Sequence, residues 1–138
     1  MPDRADYASD ITLIDHLVAL KLVPDWGAIE ATDIDLEGEA DIPDATFGYP
    51  VIYTVPNGKT LLIYDWSAGF VDGDGQFYAE LTNYTTYVVL GIGGGTRGFQ
   101  TPLNKAKRVA SGETIAIAVV HNTGATRFVG AHFGGVLI

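Results

Sequence analysis

Residues 113–121 read ETIAIAVVH, and this stretch decides the fold class. Ile115, Ile117 and Val119 recur at every second position, which is the period of a β-strand with one face in a core. The turn dipeptide Ser111-Gly112 precedes the stretch, and NTGA follows it. A strand bounded by turn residues at both ends is typical of an all-β domain with short connections.

Similar units of strand and turn flank this stretch. YPVIYTV at 49–55 alternates with period two, and VPNGK then supplies a turn. Further strands are predicted at TLLIYDWS, FYAELT, TTYVVLG, TRFVGAHF and GGVLI. Turn signals about every ten residues predict a sandwich or barrel. We expect residues 49–138 to form an all-β, jelly-roll-like β-sandwich of about eight strands, with Leu62 and Val89 also in its core.

Two segments between the strands are predicted to lie at the periphery. Residues 93–98, GGGTRG, match G-x-G-x-x-G, but a dinucleotide site needs a helix after this motif and FQTPL follows instead. We therefore expect a flexible loop there, and Pro102 in FQTPL suits a sheet edge. KAKRVA at 105–110 predicts either a solvated edge strand that blocks aggregation or a dock for an acidic arm, its own or a neighbour's.

Charge divides the chain into two parts. Residues 1–48 hold twelve acids and two bases, whereas residues 49–138 hold five acids and six bases. The segment 27–48 lacks a sustained apolar period, so alone it buries too little surface to offset its ordering entropy. We expect residues 1–48 to form an extended or partly helical acidic N-terminal arm, separate from the sandwich.

The arm contains one apolar stretch, at 11–22, which Asp10 could cap as a short helix and Pro24 would stop. One interpretation is a surface helix that packs on its own domain. The other is an anchor that docks on another chain, because acidic residues separate the stretch from the sandwich. The candidates for partner contacts under the second interpretation are Ile11, Leu13, Ile14, Leu17 and Trp26.

No catalytic or metal-binding constellation is expected. Asp72-Gly73-Asp74-Gly75 lacks the later ligands of a calcium loop, so we interpret it as a turn, with a divalent ion as the alternative. His121 and His132 fall in successive predicted strands and could meet, but the H-x-H pair and nearby Glu of a small metal barrel are missing. An aromatic platform for sugar is the remaining alternative, built from Trp66, Tyr64, Tyr78, Tyr84 and Tyr87.

Composition excludes several classes of function. The chain has no cysteine, so disulfides and thiol nucleophiles are impossible. The net charge of −9 argues against a nucleic-acid partner, which would require clustered Lys and Arg. The N-terminus lacks the pattern of a signal peptide, and no apolar run approaches the roughly 18–20 residues that span a bilayer. We expect no cofactor, no membrane partner and no enzyme activity.

Three segments resemble a small viral jelly roll: VPNGKTLLIYDWSA, TPLNKAKRVASGETIAIAVVHNT and AHFGGVLI. Such domains open with a V-P-x-G-K-T-L-x-I strand, which Val55–Ile63 matches. They also carry x-x-V-x-x-G-[ED]-T-I-x-I-x-V-x-N, which is matched from Val109 to Val119 with the asparagine, Asn122, one position later, and they end on a glycine-led apolar strand. The resemblance covers about residues 50–138.

Within that class, the chain is most similar to the decoration (cement) proteins of tailed-phage capsids. The resemblance implies a structural virion protein on the capsid exterior, a homotrimer, and the major capsid protein as partner. It also implies that the N-terminal segment lies along the capsid. A carbohydrate- or receptor-binding module, such as a tail-fibre or head-fibre tip, is the alternative function.

Overall fold

In the computed structural model, the structure describes residues 31–138, which form eight β-strands and no helix. The strands are β1 (Thr32–Ile42), β2 (Gly48–Thr54), β3 (Leu61–Phe70), β4 (Phe77–Asn83), β5 (Val88–Gly95), β6 (Gly98–Val109), β7 (Thr114–His121) and β8 (Arg127–Leu137). The all-β prediction is confirmed. The helix predicted at 11–22 lies outside the described residues.

The strands form two four-stranded antiparallel sheets with jelly-roll order. Sheet A runs β1-β8-β3-β6 and sheet B runs β2-β7-β4-β5. The first strand pairs with the last, the second with the seventh, the third with the sixth and the fourth with the fifth. An antiparallel ribbon folded back at β4–β5 and wrapped around itself has this pairing, which defines a jelly roll. The predicted jelly-roll-like sandwich of about eight strands is confirmed, but its first strand, β1, precedes the predicted range of 49–138.

The first strand corrects the predicted domain boundary at residue 48. Thr32–Ile42 pairs with β8 along its whole length, and the compact unit that holds the sandwich begins at Ala31. Ile34, Leu36 and Ala40 pack against the core, and Ile42 is fully buried within it. The acids between them alternate outward. The expectation that residues 31–48 belong to a separate arm was wrong because long-range pairing with β8 provides the ordering energy that the segment cannot provide alone.

The core lies between the two sheets. Ile115, Ile117 and Val119 of β7 are fully buried, as predicted, and the other fully buried large side chains include Trp66, Phe133, Ile63 and Leu81. Two predicted core residues are not buried. Leu62 is only half-buried because it pairs with Arg108 and Val136 on the outer side of sheet A. Val89 is 46 % exposed because a register shift in the β4–β5 ladder places it opposite Thr82.

The glycine-rich segment is strand, not the flexible loop that its composition predicted. Gly93–Gly95 end β5, Gly98 begins β6, and only two residues connect them. Aromatic rings from sheet A occupy the space that side chains on β5 would take: a Cβ on Gly91 would lie 2.9 Å from Nε1 of Trp66, and one on Gly93 would collide with the ring of Phe99. These glycines therefore allow close packing of the two sheets.

The predicted edge and turns are largely confirmed. Pro102 lies on β6, which is an edge strand of sheet A. FQTPL and KAKRVA form this single strand, which carries a register shift opposite Ile63/Asp65. Gly58 and Gly112 take positive φ in the two predicted turns, where a side chain would be strained. The Asp72–Gly75 turn connects β3 to β4 in different sheets, so it is not a hairpin.

Within residues 31–138, no helix is long and apolar enough to cross a membrane.

Candidate functional site

The outer side of sheet B exposes an unusual number of apolar side chains. Ile52 on β2 and Ile92 on β5 are 62 % and 65 % exposed. Their register partners, Ala116 for Ile52 and Glu80 for Ile92, alternate with buried core residues, so these side chains point away from the core. We define the apolar face as the exposed apolar residues on this side of the sheet: Phe47, Tyr49, Ile52, Tyr78, Val89 and Ile92. Single exposed apolar residues need no explanation, but a contiguous group marks an interaction surface.

Small residues on β7 form the middle of this face. Ala116 and Ala118 alternate with the core residues of β7, so they point outward, yet they are 3 % and 0 % exposed. The rings of Tyr49 and Tyr84 meet edge-to-face with centroids 5.7 Å apart. Tyr49 lies on β2 and Tyr84 directly follows β4, so this aromatic pair links the two strands that flank β7. A second edge-to-face pair, Phe47 with Tyr78, extends the aromatic surface at 6.5 Å.

Sheet B is nearly free of charge. Its four strands contain one carboxylate, Glu80, and no Lys or Arg. The hydroxyl of Tyr78 donates a hydrogen bond of 3.1 Å to Oε2 of Glu80. Desolvation first and then this hydrogen bond raise the pKa of Tyr78. Desolvation, followed by the hydrogen bond with Tyr49, raises the pKa of Tyr84 to about 12. Both phenols therefore stay neutral at physiological pH.

A depression lies at one end of the apolar face. Its volume is about 670 Å³ and its lining includes Gln76, Tyr78, Asn122 and the glycines of β5. The amides and the phenol offer hydrogen-bond donors and acceptors beside an aromatic ring, a combination found in many small-molecule sites. This depression is the part of the surface that suits a compact polar ligand.

The partner-contact residues predicted from the sequence, Ile11, Leu13, Ile14, Leu17 and Trp26, lie outside the described residues. Their role stays a prediction. The apolar face was missed because its members come from β2, β4 and β5 and the segments beside them, which only the sheet brings together. One signal was present in the sequence: the alternation that places Val51 and Tyr53 inward leaves Ile52 as an apolar residue on the opposite side.

The aromatic platform proposed for sugar does not form as predicted. Trp66 is fully buried in the core, where its ring meets that of Phe99 edge-to-face at 4.8 Å. Tyr64 belongs to β3 in sheet A, whereas Tyr78 and Tyr84 belong to the surface of sheet B. Both faces of β3 carry apolar residues, so the sequence did not indicate which face Trp66 occupies.

The two histidines do not meet. β7 and β8 are successive in the chain but lie in different sheets. The buried His121 has Nε2 at 2.7 Å from the carbonyl oxygen of Ile42, and its Nδ1 at 3.0 Å from the hydroxyl of Thr123. His132 pairs with the carboxylate of Asp35. Each ring therefore has partners within its own part of the fold.

The Asp72–Gly75 turn is held by an arginine. Asp72 accepts a hydrogen bond of 2.9 Å from Nε of Arg127 and one of 3.0 Å from the backbone N–H of Phe128. The Phe128 hydrogen bond first, and then the contacts with Arg127, outweigh desolvation and lower the pKa of Asp72. The guanidinium also lies 4.0 Å from the centre of the Phe70 ring. Both carboxylate oxygens are thus occupied by donors within the protein.

Comparisons with known proteins find likeness in structure only. No protein-family model and no curated protein sequence matches the chain. A structure of Bacillus endospore appendages, described as disulfide-linked pili, is 8 % identical, with 79 % of this chain and 89 % of that chain covered and a TM-score of 0.47.

Two viral structures are also similar. The virus-like particle of the extra small virus of the giant freshwater prawn Macrobrachium rosenbergii is 12 % identical over 80 % of each chain, with a TM-score of 0.40. The infectious bursal disease virus Gt strain is 9 % identical over 78 % of this chain and 32 % of that chain, with a TM-score of 0.35. None of these structures assigns a function to this protein.

Proposed function

We propose that this protein is a structural virion protein that decorates and stabilises a phage capsid by oligomeric binding to the major capsid protein. The observation that carries the proposal is the apolar face, because it occupies one side of a sheet that has a single carboxylate and no basic residue on its strands. A jelly roll with such a face has a surface prepared for another protein. The resemblance of residues 50–138 to capsid decoration proteins supports the choice of partner.

The composition of the face suits a protein partner better than a small ligand. Protein interfaces are enriched in aromatic side chains and depleted of charge at their centre, and Phe47, Tyr49, Tyr78 and Ile92 follow that pattern. The tyrosines add hydrogen-bonding hydroxyls that remain protonated. The face is also preorganised, because it is mounted on hydrogen-bonded strands, and this lowers the entropic cost of binding.

Oligomerisation would allow weak individual contacts to add up to stable capsid binding. A capsid presents many identical sites, so a homotrimer that engages neighbouring sites gains affinity through effective concentration without any new type of contact. The N-terminal residues Ile11, Leu13, Ile14, Leu17 and Trp26 are proposed to add a second attachment on the capsid exterior. No step of this role requires catalysis or a cofactor.

Binding to capsids tests the proposal. The reading frames beside the gene identify the capsid to use, and we expect them to encode a major capsid protein and a portal. Capsids prepared without this protein are incubated with the full chain, and the bound fraction is measured by sedimentation. Ile52→Asp with Ile92→Asp should reduce binding strongly, since these changes place a charge on each of the two outer strands of the apolar face, β2 and β5.

Val71→Asp is the matched control, because Val71 is 56 % exposed but lies beyond the end of β3 in sheet A. It should bind capsids like the unchanged chain. Full binding by the Ile52/Ile92 variant would remove the apolar face from the attachment surface. Failure of the unchanged chain to bind these capsids would contradict the decoration role itself.

A carbohydrate- or receptor-binding function is the second candidate, and the depression beside Tyr78 favours it. The amides of Gln76 and Asn122 and the phenol of Tyr78 could bind sugar hydroxyls. Because Trp66 is buried, its fluorescence cannot report such binding. Glycan-array binding that Tyr78→Ala abolishes would support this function, provided that capsid binding is absent.

A further inference from the structure

The two edges of sheet A carry opposite charge. On β1, five exposed acids point outward at alternate positions: Asp33, Asp35, Glu37, Glu39 and Asp41. The opposite edge strand, β6, carries Lys105, Lys107 and Arg108 and no acid. Sheet A is therefore polarised across its width, whereas sheet B is almost uncharged.

These charges are mostly unpaired within the described chain. Within residues 31–138 the ion pairs are Asp74 with Arg97, Asp72 with Arg127, and Asp35 with His132. The remaining acids of β1 and all three cations of β6 therefore have no ion-pair partner in that part of the chain. Two strands separate the edges, so they lie about 14 Å apart at roughly 4.8 Å per strand. That exceeds the Debye length of about 8 Å at physiological salt, so the edges cannot neutralise each other within one copy.

We propose that the β1 edge of one copy binds the β6 edge of a second copy of this chain. The charge pattern selects this pairing over the alternatives, because β1 against β1 would oppose five acids with five acids, and β6 against β6 would oppose cations with cations. Only the mixed contact is attractive. Acids on β1 recur about every 6.8 Å along the strand, and β6 presents the exposed Lys105 and Arg108 on either side of the half-buried Lys107, so more than one ion pair can form.

The contact is made through side chains. The carbonyl oxygen of Pro50, at the bulge in β2, lies close to Gly38, where a Cβ would collide with it, so β2 crosses near the middle of β1. The outward acids on either side of Gly38 remain exposed. An interface between different edges of two copies is heterologous, and it closes into a ring or extends as a filament. A three-copy ring is the closed form that the expected homotrimer would take.

Self-association of the full chain tests this inference without any capsid, so its outcome is separate from that of the decoration role. The β6-reversed variant carries Lys105→Glu, Lys107→Glu and Arg108→Glu, and the β1-reversed variant carries Asp33→Lys, Glu37→Lys and Glu39→Lys. Analytical ultracentrifugation should show that each variant alone self-associates at least about tenfold more weakly than the unchanged chain. Circular dichroism verifies that both remain β-structured.

Self-association should be restored in two ways. A chain with both reversals keeps the net charge of −9 and exchanges the two edges, so its association should return to that of the unchanged chain. An equimolar mixture of the two singly reversed variants should form mixed oligomers, because each supplies the edge that the other lacks. Raising the ionic strength from about 0.01 M to about 1 M shortens the Debye length from about 30 Å to about 3 Å and should dissociate the oligomer.

The control variant Asp3→Lys, Asp6→Lys and Asp10→Lys changes the net charge as much as the β1 reversal, but its three positions precede β1 in the sequence. It should associate like the unchanged chain. Loss of association in this control, with no effect of the β1 reversal, would make the N-terminal acids the occupant of the β6 edge. Failure of the doubly reversed chain to associate, or loss of association only with Ile52→Asp and Ile92→Asp, would also overturn the inference.

Discussion

Truncation of Ile117 should most clearly distinguish the stability cost of a core substitution from that of a surface substitution. It lies in the middle of β7, is fully buried, and pairs with Val51 on one side and Leu81 on the other. Ile117→Ala removes three carbon atoms between the two sheets. No backbone hydrogen bond is lost, so the effect reports packing alone.

The expected loss of stability follows from burial. Three methylene equivalents at about 0.8 kcal/mol each give a transfer term of about 2.4 kcal/mol. A cavity adds to this term where neighbours cannot relax, and Ile117 is held between neighbouring strands of a closed sandwich, so the total should reach about 2–4 kcal/mol. For a domain of this size, about 3 kcal/mol corresponds to a fall in Tm of roughly 10–20 °C.

Thermal and urea unfolding followed by far-UV circular dichroism measure this loss. Ile52→Ala is the matched control: the same substitution, on the adjacent strand, at a residue that is 62 % exposed and pairs with Ala116 next to Ile117. Both changes lose similar β-propensity, about 1 kcal/mol or less. Equal losses in the two variants, or a loss below about 1 kcal/mol for Ile117→Ala, would refute the placement of these residues on opposite faces of sheet B.

Three other outcomes are expected. Deleting residues 1–30 should leave the Tm of the sandwich unchanged and weaken capsid binding, whereas deleting residues 1–48 should abolish cooperative unfolding, because the longer deletion removes β1 and its pairing with β8. Asp72→Asn should destabilise the protein near neutral pH. The folded pKa of Asp72 is lowered from its ordinary 3.8, so the stability that the carboxylate contributes is lost as pH falls through that folded pKa. The stabilities of the variant and the unchanged chain should therefore converge in acid. EDTA should not change the Tm, since Arg127 and Phe128 already occupy the oxygens of Asp72; a fall that calcium reverses would contradict this assignment.

The local sequence pattern was sufficient to predict most of the strands. The alternation in residues 113–121 predicted β7 and its core residues, and the turns at Gly58 and Gly112 were predicted from their dipeptides. These features depend on side chains only a few positions apart, so a single segment contains the information. Pattern was insufficient for β3, where apolar residues occupy both faces, and Leu62 was therefore assigned to the wrong one.

Glycine composition was misleading for a related reason. GGGTRG predicts mobility when it is considered alone, but Gly91 and Gly93 face Trp66 and Phe99 across the sandwich. The demand for space comes from residues on the other sheet. Only tertiary packing shows that these glycines are needed for close approach and not for a loop.

The sequence by itself determined that residues 49–138 are all-β and rich in short strands, and that the chain is free of cysteine and divided in charge. Tertiary structure decided where each charge and apolar residue acts. β1 is a strand because β8 lies beside it, and the alternation of acids with Ile34 and Leu36 becomes meaningful only when one side faces a core. The apolar face and the two charged edges likewise combine residues that are distant in the chain, because a jelly roll places strands from different parts of the chain in one sheet.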